Sequence, residues 1–267
     1  TIMFARELKK VIERWQFWGT AIFMVAAVIV NQLITCAQWW GKEVTYIRGA
    51  YSYTAIHNVC SNITQLIFSD FLPILACLLV ADIFYEERSC GLSNVIFTRE
   101  SKKKNIICKA ATVASVAFAV VTLTLLVSLA ISLVTFDARG RAGGNAIYIT
   151  LLPPEPDREF GSLYAYHPYV NVIVYILIRG GLAALYALFA FALSTAFGAN
   201  RYVILISAFV YNILWSGVTA LADSDVIGTD IMSMNPYGSG WSIVIFAVVT
   251  LIISACMIGV GCRKDCL

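Results

Sequence analysis

The chain has 267 residues, of which 60% are hydrophobic and 13% charged, with a mean hydropathy of +0.79. Soluble domains carry about 45–50% apolar residues, so this composition excludes an ordinary water-soluble globule and points to an all-α integral membrane protein, a single transmembrane domain over 1–267. A formal charge of +3 is too small to argue for nucleic acid as a partner, and in such a protein the placement of the basic residues decides more than their sum.

At the amino-terminal end Phe4, Leu8, Val11, Ile12 and Trp15 recur at helical spacing, with Arg6, Lys9, Lys10, Glu13 and Arg14 on the other side. The pattern predicts an amphipathic helix over 1–15. It either lies in the membrane interface with its cations among the headgroups or forms the polar start of the first span. Phe17 to Ala37 is long enough to cross about 30 Å of hydrocarbon. It exceeds the about 7–15 residues of a signal-peptide core, and Thr35 departs from a lipoprotein box at Leu33 to Cys36, so a retained span is expected. Further apolar runs, Ile63 to Tyr85, Ala110 to Phe136, Tyr169 to Phe197, Val203 to Ala222 and Trp241 to Cys262, bring the expected spans to six.

With six alternating spans, one side holds Arg6, Lys9, Lys10, Arg14, Arg88, Arg99, Lys102, Lys103, Lys104, Lys109, Arg201, Arg263 and Lys264, and the other Lys42, Arg48, Arg139, Arg141 and Arg158. Basic residues favour the cytoplasmic side, so both termini and the stretch Asp82 to Lys109 are expected there. The outer segments differ in character. Gln38 to Asn62 carries Trp39, Trp40, Tyr46, Tyr51 and Tyr53, suited to the headgroup level. Asp137 to Pro168 is rich in Pro and Gly, with room for a hairpin at Ala146 to Leu152. Asp223 to Gly240 is short and semi-apolar, and re-entry into the membrane is open to it where protein covers its backbone.

Of the eight cysteines, Cys36 and Cys60 are the pair placed to meet on an oxidising face; reduced structural thiols are the preferred reading for all eight. Cys262 and Cys266 have no histidine near them, so no metal site is expected. His57 and His167 lie in outer segments outside any His-x-x-x-His pattern. Gly238-Ser239-Gly240 and Glu86-Glu87 resemble fragments of intramembrane protease motifs, but the first lacks a histidine base in any span and the second lacks its later arginine. The chain is therefore not expected to be an enzyme, and an intramembrane enzyme stays a remote alternative.

Two charges fall inside expected spans. Asp70 is seven residues into the second and Arg179 ten residues into the fourth, about 10 and 15 Å deep at the helical rise. Ionised groups at such depth carry a functional hypothesis by default: either the polar lining of a translocation cavity or an internal ion pair that joins two helices. Pro73 after Asp70, and Gly180-Gly181 after Arg179, lead to the expectation that both helices bend near these charges.

The most charged stretch runs from Asp82 through Glu86, Glu87, Arg88, Gly91 and Arg99 to Lys102, Lys103, Lys104 and Lys109. Read with the basic first helix, the six spans and the semi-apolar segment before the last of them, it resembles the permease subunit of ABC-2 type transporters, whose ATPase is a separate chain. That family tends to close its second span with an acidic residue, a Glu-Arg pair, Gly, an apolar turn, Ser/Thr-Arg and a basic helix. Here the positions read Asp82, Glu86 or Glu87 with Arg88, Gly91, Leu92 to Phe97, Thr98-Arg99 and Lys102 to Lys109. Glu100 stands where proline is usual and Cys108 where glycine precedes the lysine.

The resemblance implies a coupling helix between spans two and three, in which Asp82, Glu86, Glu87, Arg88, Gly91 and Arg99 meet a cytoplasmic P-loop ATPase that binds ATP and Mg. It further implies a second permease subunit, identical or not, membrane lipid around the pair, and export of an antimicrobial peptide, drug or lipid-like amphiphile across a bacterial plasma (inner) membrane. An ion-coupled carrier or channel subunit is the alternative, and a solvated positive loop touching anionic lipid is the alternative for the charged stretch.

Overall fold

The computed structural model describes residues 2–42, 49–56, 58, 60–61, 63–80, 101–138, 163, 167–197, 200–221 and 240–263. Among them are eight α-helices: α1 Ile2–Ile12, α2 Trp15–Trp39, α3 Ile63–Ser69, α4 Leu72–Val80, α5 Lys102–Thr135, α6 Pro168–Phe197, α7 Arg201–Leu221 and α8 Gly240–Arg263. Five of these, α2, α5, α6, α7 and α8, are long and apolar enough to cross a membrane, which bears out a helical, multi-pass membrane protein.

In the second apolar run, expected over 63–85, the bend expected near Asp70 takes the form of a break. Its described part is the short pair α3 and α4, interrupted at Asp70 and Phe71, and residues 81–85 lie outside the described ones. The cause is Pro73, which has no N–H and whose ring crowds the carbonyl four residues earlier. It is tolerated here as the second residue of α4, where amides lack intrahelical partners in any case. The amides of Asp70 and Phe71 both turn back to the Leu66 carbonyl, at 3.0 and 3.3 Å.

Two other boundaries differ. The first helix is separate from α2: Glu13 and Arg14 leave the helical path, and Trp18 Nε1 donates to the Ile12 carbonyl at 2.8 Å, satisfying an end group of α1. The third expected span begins eight residues earlier than Ala110, because the lysine triplet and Asn105 to Lys109 continue the same helix. At 34 residues, α5 is about 51 Å long, well beyond about 30 Å of hydrocarbon.

The bundle is built around α6. This helix packs on α5, α8, α4 and α7, and its buried residues face nearly every direction. Its small side chains explain the position: without water to expel, helices in lipid associate through close packing. Gly180 was expected to bend α6, but α6 is continuous from Pro168 to Phe197. A Cβ on Gly180 would collide with Thr122 Oγ1 and meet the Phe118 ring of α5 at 3.2 Å. This glycine lets two backbones approach. Gly261 of α8 does the same against Thr195 of α6, where a Cβ would meet three atoms at 3.1 Å.

Polar groups inside the bundle tie the remaining helices to this axis. Tyr186 of α6 donates to Asn212 Oδ1 of α7 at 2.7 Å, and Tyr211 of α7 shares a 3.0 Å hydrogen bond with Thr250 of α8. Phe189 and Tyr211 stack at 4.6 Å, and Phe71 at the α3/α4 break stacks parallel to Phe209 of α7.

At the end away from the lysine triplet, the described residues 49–56, 58 and 60–61 pack against the bundle. Ala55 N–H donates to Ser128 Oγ at 2.8 Å, Ser132 Oγ donates to the Tyr53 carbonyl at 3.0 Å, and Asn58 Nδ2 donates to Thr35 Oγ1 at 2.8 Å. Tyr53 is fully buried and stacks on Phe136 at 4.3 Å. Part of the aromatic set expected at the headgroups is therefore a packed plug, while Trp40 stays exposed. Cys36 and Cys60 are both free thiols beside this plug, and Cys60 Sγ accepts from Trp39 Nε1 at 3.1 Å.

The two adjacent glycines of α6 separate close approach from flexibility. Gly180→Val should destabilise the purified chain by about 1–3 kcal/mol, the usual cost of overpacking, whereas Gly181→Ala, with open space around its Cβ position, should be neutral or stabilising by up to about 1 kcal/mol. Thermal unfolding midpoints in detergent micelles distinguish the two; equal midpoints would show that α5 and α6 do not meet at Gly180.

Candidate functional site

The expected coupling residues Asp82, Glu86, Glu87, Arg88, Gly91 and Arg99 lie outside the described residues, as do His57, Gly238, Ser239, Cys266, the hairpin expected at Ala146 to Leu152 and nearly all of Asp223 to Gly240. The structure does describe the helix ends that flank the first group. Leu79 and Val80 close α4 fully inside the bundle, and Asn105 and Ile106 are equally buried in the first turns of α5.

On this side of the molecule α1 lies against the start of α5. The contact is polar at its centre. Glu7 is 2% exposed and Lys109 3% exposed, and the charge of Glu7 acts on the Lys109 ammonium across the two helices. Glu7 Oε1 also accepts from Lys10 Nζ at 3.1 Å and lies 3.6 Å from Arg6 Nε. Buried charges persist when they are paired, so this cluster holds α1 in one place. A signal for Glu7 was present in the sequence: it shares the helical stripe of Phe4, Leu8 and Val11, where an isolated acid implies a buried partner.

Arg179 occupies the heart of α6. It is eleven residues from Pro168, about 17 Å along the helix, and is 1% exposed. Its Nε, Nη1 and Nη2 have no hydrogen-bond partner among the described residues. The hydroxyl of Tyr175, one turn earlier, and the carboxylate of Asp70 at the α3/α4 break are the groups that act on it electrostatically. Asp70 itself is exposed and forms no hydrogen bond to Arg179. The structure brings the two charges within electrostatic range without joining them as a hydrogen-bonded pair.

More of the same face is polar. Asn171, Tyr175 and Arg179 follow one another at four-residue intervals, all buried, and Asn171 Oδ1 has no partner among the described residues. Thr122 Oγ1, opposite Gly180 on α5, is likewise buried and unpartnered among them. Asn171 and Thr122 escaped notice in the sequence because single amides and hydroxyls inside apolar runs leave hydropathy almost unchanged. Among the described residues no three His, Cys, Asp or Glu side chains gather where they could hold a metal ion.

A guanidinium at this depth costs about 2.5–3.5 kcal/mol on insertion scales, and each buried donor left unmade adds about 1–3 kcal/mol. Such a residue does not stabilise the fold. Arg179→Met, which keeps the length and removes the charge, should raise stability by about 1–4 kcal/mol. An unfolding midpoint in micelles below that of the wild type would show instead that protein groups hold the guanidinium.

No curated protein and no solved structure matches the chain. Residues 24–267 match a family model described as a protein of unknown function, DUF2705. The match covers all but the first 23 residues, through α2 to α8 and the face that carries Arg179, and the chain belongs to the DUF2705 family.

Proposed function

We propose that the chain is the permease subunit of an ATP-driven exporter of the ABC-2 type, moving a peptide, drug or lipid-like amphiphile across a bacterial plasma membrane. It works beside a second permease subunit, with both termini in the cytoplasm. The sequence contains no Gly-x-x-x-x-Gly-Lys-Ser/Thr loop, so ATP and Mg belong to partner ATPase subunits.

The observation that carries the reading is the way residues 81–101 are bracketed. The described part of α4 is buried through Val80, and α5 is buried at Asn105, Ile106 and Lys109 near its start, where α1 packs on it. A force applied to such a segment cannot be absorbed by loose helix ends. It passes into α5, one unbroken helix that packs along α6 and reaches the plug at the opposite end. On this reading Asp82, Glu86, Glu87, Arg88, Gly91 and Arg99 meet the ATPase, and closure of the ATPase dimer draws the paired segments together and opens the far side. The amphipathic α1, with Arg6 and Lys9 exposed, rests among anionic headgroups.

One observation favours the ion-coupled carrier: a broken helix, α3/α4, beside a buried charge is a common feature of carrier sites. Membranes containing the chain and its ATPase separate the two. Substrate movement should require ATP, and a tagged chain should retain a P-loop ATPase on purification. Glu86→Ala with Glu87→Ala should leave insertion intact and lower ATP-driven transport about tenfold or more, the scale expected when partners of a charged contact are lost. Movement driven by an ion gradient without any ATPase would replace the permease reading with the carrier, and undiminished coupled transport by the double variant would remove these glutamates from the mechanism.

A further inference from the structure

Helical side chains lean toward the amino-terminal end of their helix. In α6 this turns Arg179 toward Tyr175 and, one turn further, Asn171. The guanidinium presents five donors in a planar fork that matches two oxygens of one carboxylate or phosphate, and none of its nitrogens is bonded among the described residues. Asp70 is the nearby carboxylate, yet it stays exposed and does not enter the fork. The positions that follow Asn171 and Tyr175 along this stretch of α6, Val172 and Ile176, are apolar and buried. A soluble anion would have to give up its hydration there with no apolar contact in return. An oxyanion at the head of an alkyl tail suits both the fork and these apolar positions.

We propose that Arg179 is the recognition point for the oxyanion, phosphate or carboxylate, of an anionic amphiphile, seated on the Asn171–Tyr175–Arg179 face of α6. The inference rests on the export reading only in taking this amphiphile as the cargo class. Asp70 repels such a ligand and sets the affinity below its maximum, which leaves the ligand able to depart.

The test is equilibrium binding to the purified full chain in an uncharged maltoside detergent, with no ATPase and no ATP. The probes are dodecyl phosphate, dodecyltrimethylammonium and inorganic phosphate. Dodecyl phosphate should bind saturably and about tenfold or more tighter than the cationic amphiphile. Inorganic phosphate should compete only weakly. Arg179→Met should lose about tenfold or more in affinity, as expected for removal of a buried charged partner, and Asp70→Asn should bind a few-fold tighter. Equal binding of the two amphiphiles, or Arg179→Met binding as tightly as wild type, overturns the proposal. So does Asp70→Asn binding no tighter than wild type, and this exposed position serves where Arg179→Met does not fold. Inorganic phosphate competing as well as dodecyl phosphate overturns the amphiphile assignment and makes the ligand a soluble anion. Because binding is read without ATP, its failure leaves the export reading standing, and a chain that binds dodecyl phosphate without supporting ATP-driven export refutes the export reading alone.

Discussion

Helices that meet in hydrocarbon expel no water, so their association rests on how closely their backbones approach; in this bundle that approach is made where Gly180 of α6 faces Thr122 and Phe118 of α5. The consequence extends past one contact. Because α6 is thin along much of its length, with Ala183, Ala187, Ala190 and Ala196 buried beside Gly180, α4, α5, α7 and α8 all close upon it. The polar side chains of Asn171, Arg179, Ser194 and Thr195 are thereby enclosed. Arg179 is about 17 Å from the nearer helix end, too far for its side chain to snorkel to water, so the packing that stabilises the bundle also strands its charge.

A second consequence concerns α5. The helix is anchored at both ends by different chemistry. Near its start Lys109 is buried against α1, where Glu7 supplies the opposite charge. Near its finish Ser128, Ser132 and Thr135 lie on one face, where they receive the Ala55 amide, bond the Tyr53 carbonyl and accept from Gln32 Nε2 at 2.6 Å. The hydroxyls of Ser128 and Ser132 thus substitute for secondary structure in the plug, which would otherwise bury backbone groups without partners. An α-helix resists axial compression, so a displacement at Lys109 is felt at Ser128 with little loss.

The broad architecture was legible because hydrocarbon imposes it. Long apolar runs must become helices when no water is present to bond the backbone, and α2, α5, α6, α7 and α8 follow from that alone. The interruption at Asp70 was legible too, since Pro73 supplies a local cause. What stayed hidden depended on neighbours. Gly180-Gly181 is compatible with either a bend or a close approach, and only Phe118 and Thr122, sixty residues away in the chain, decide between them. Tyr53 looked like an interfacial aromatic until Phe136 and Ser132 were placed beside it. Glu7 was not singled out in the sequence, although it falls on the stripe of Phe4, Leu8 and Val11, because its burial depends on a tertiary contact with α5. In the candidate site, the depth of Arg179 could be counted from the sequence, but the failure of Asp70 to reach its fork could not.

That failure bears on what the two charges are for. An ion pair whose task was to hold α3 and α4 against α6 would be expected to form, since removing partners from a buried charge costs several kcal/mol. Instead Asp70 stands at a place where the helix is already interrupted and its carboxylate is exposed. Pro73 has no N–H to continue the ladder here, so the carboxylate stands where the helix loses its continuity. The arrangement therefore places a buried cation on the continuous helix α6 and an exposed carboxylate at the α3/α4 break, with the fork left to the oxyanion proposed above. An oxyanion in that fork would stand within the electrostatic reach of Asp70, so the ligand proposed above and the carboxylate at the α3/α4 break would act on each other.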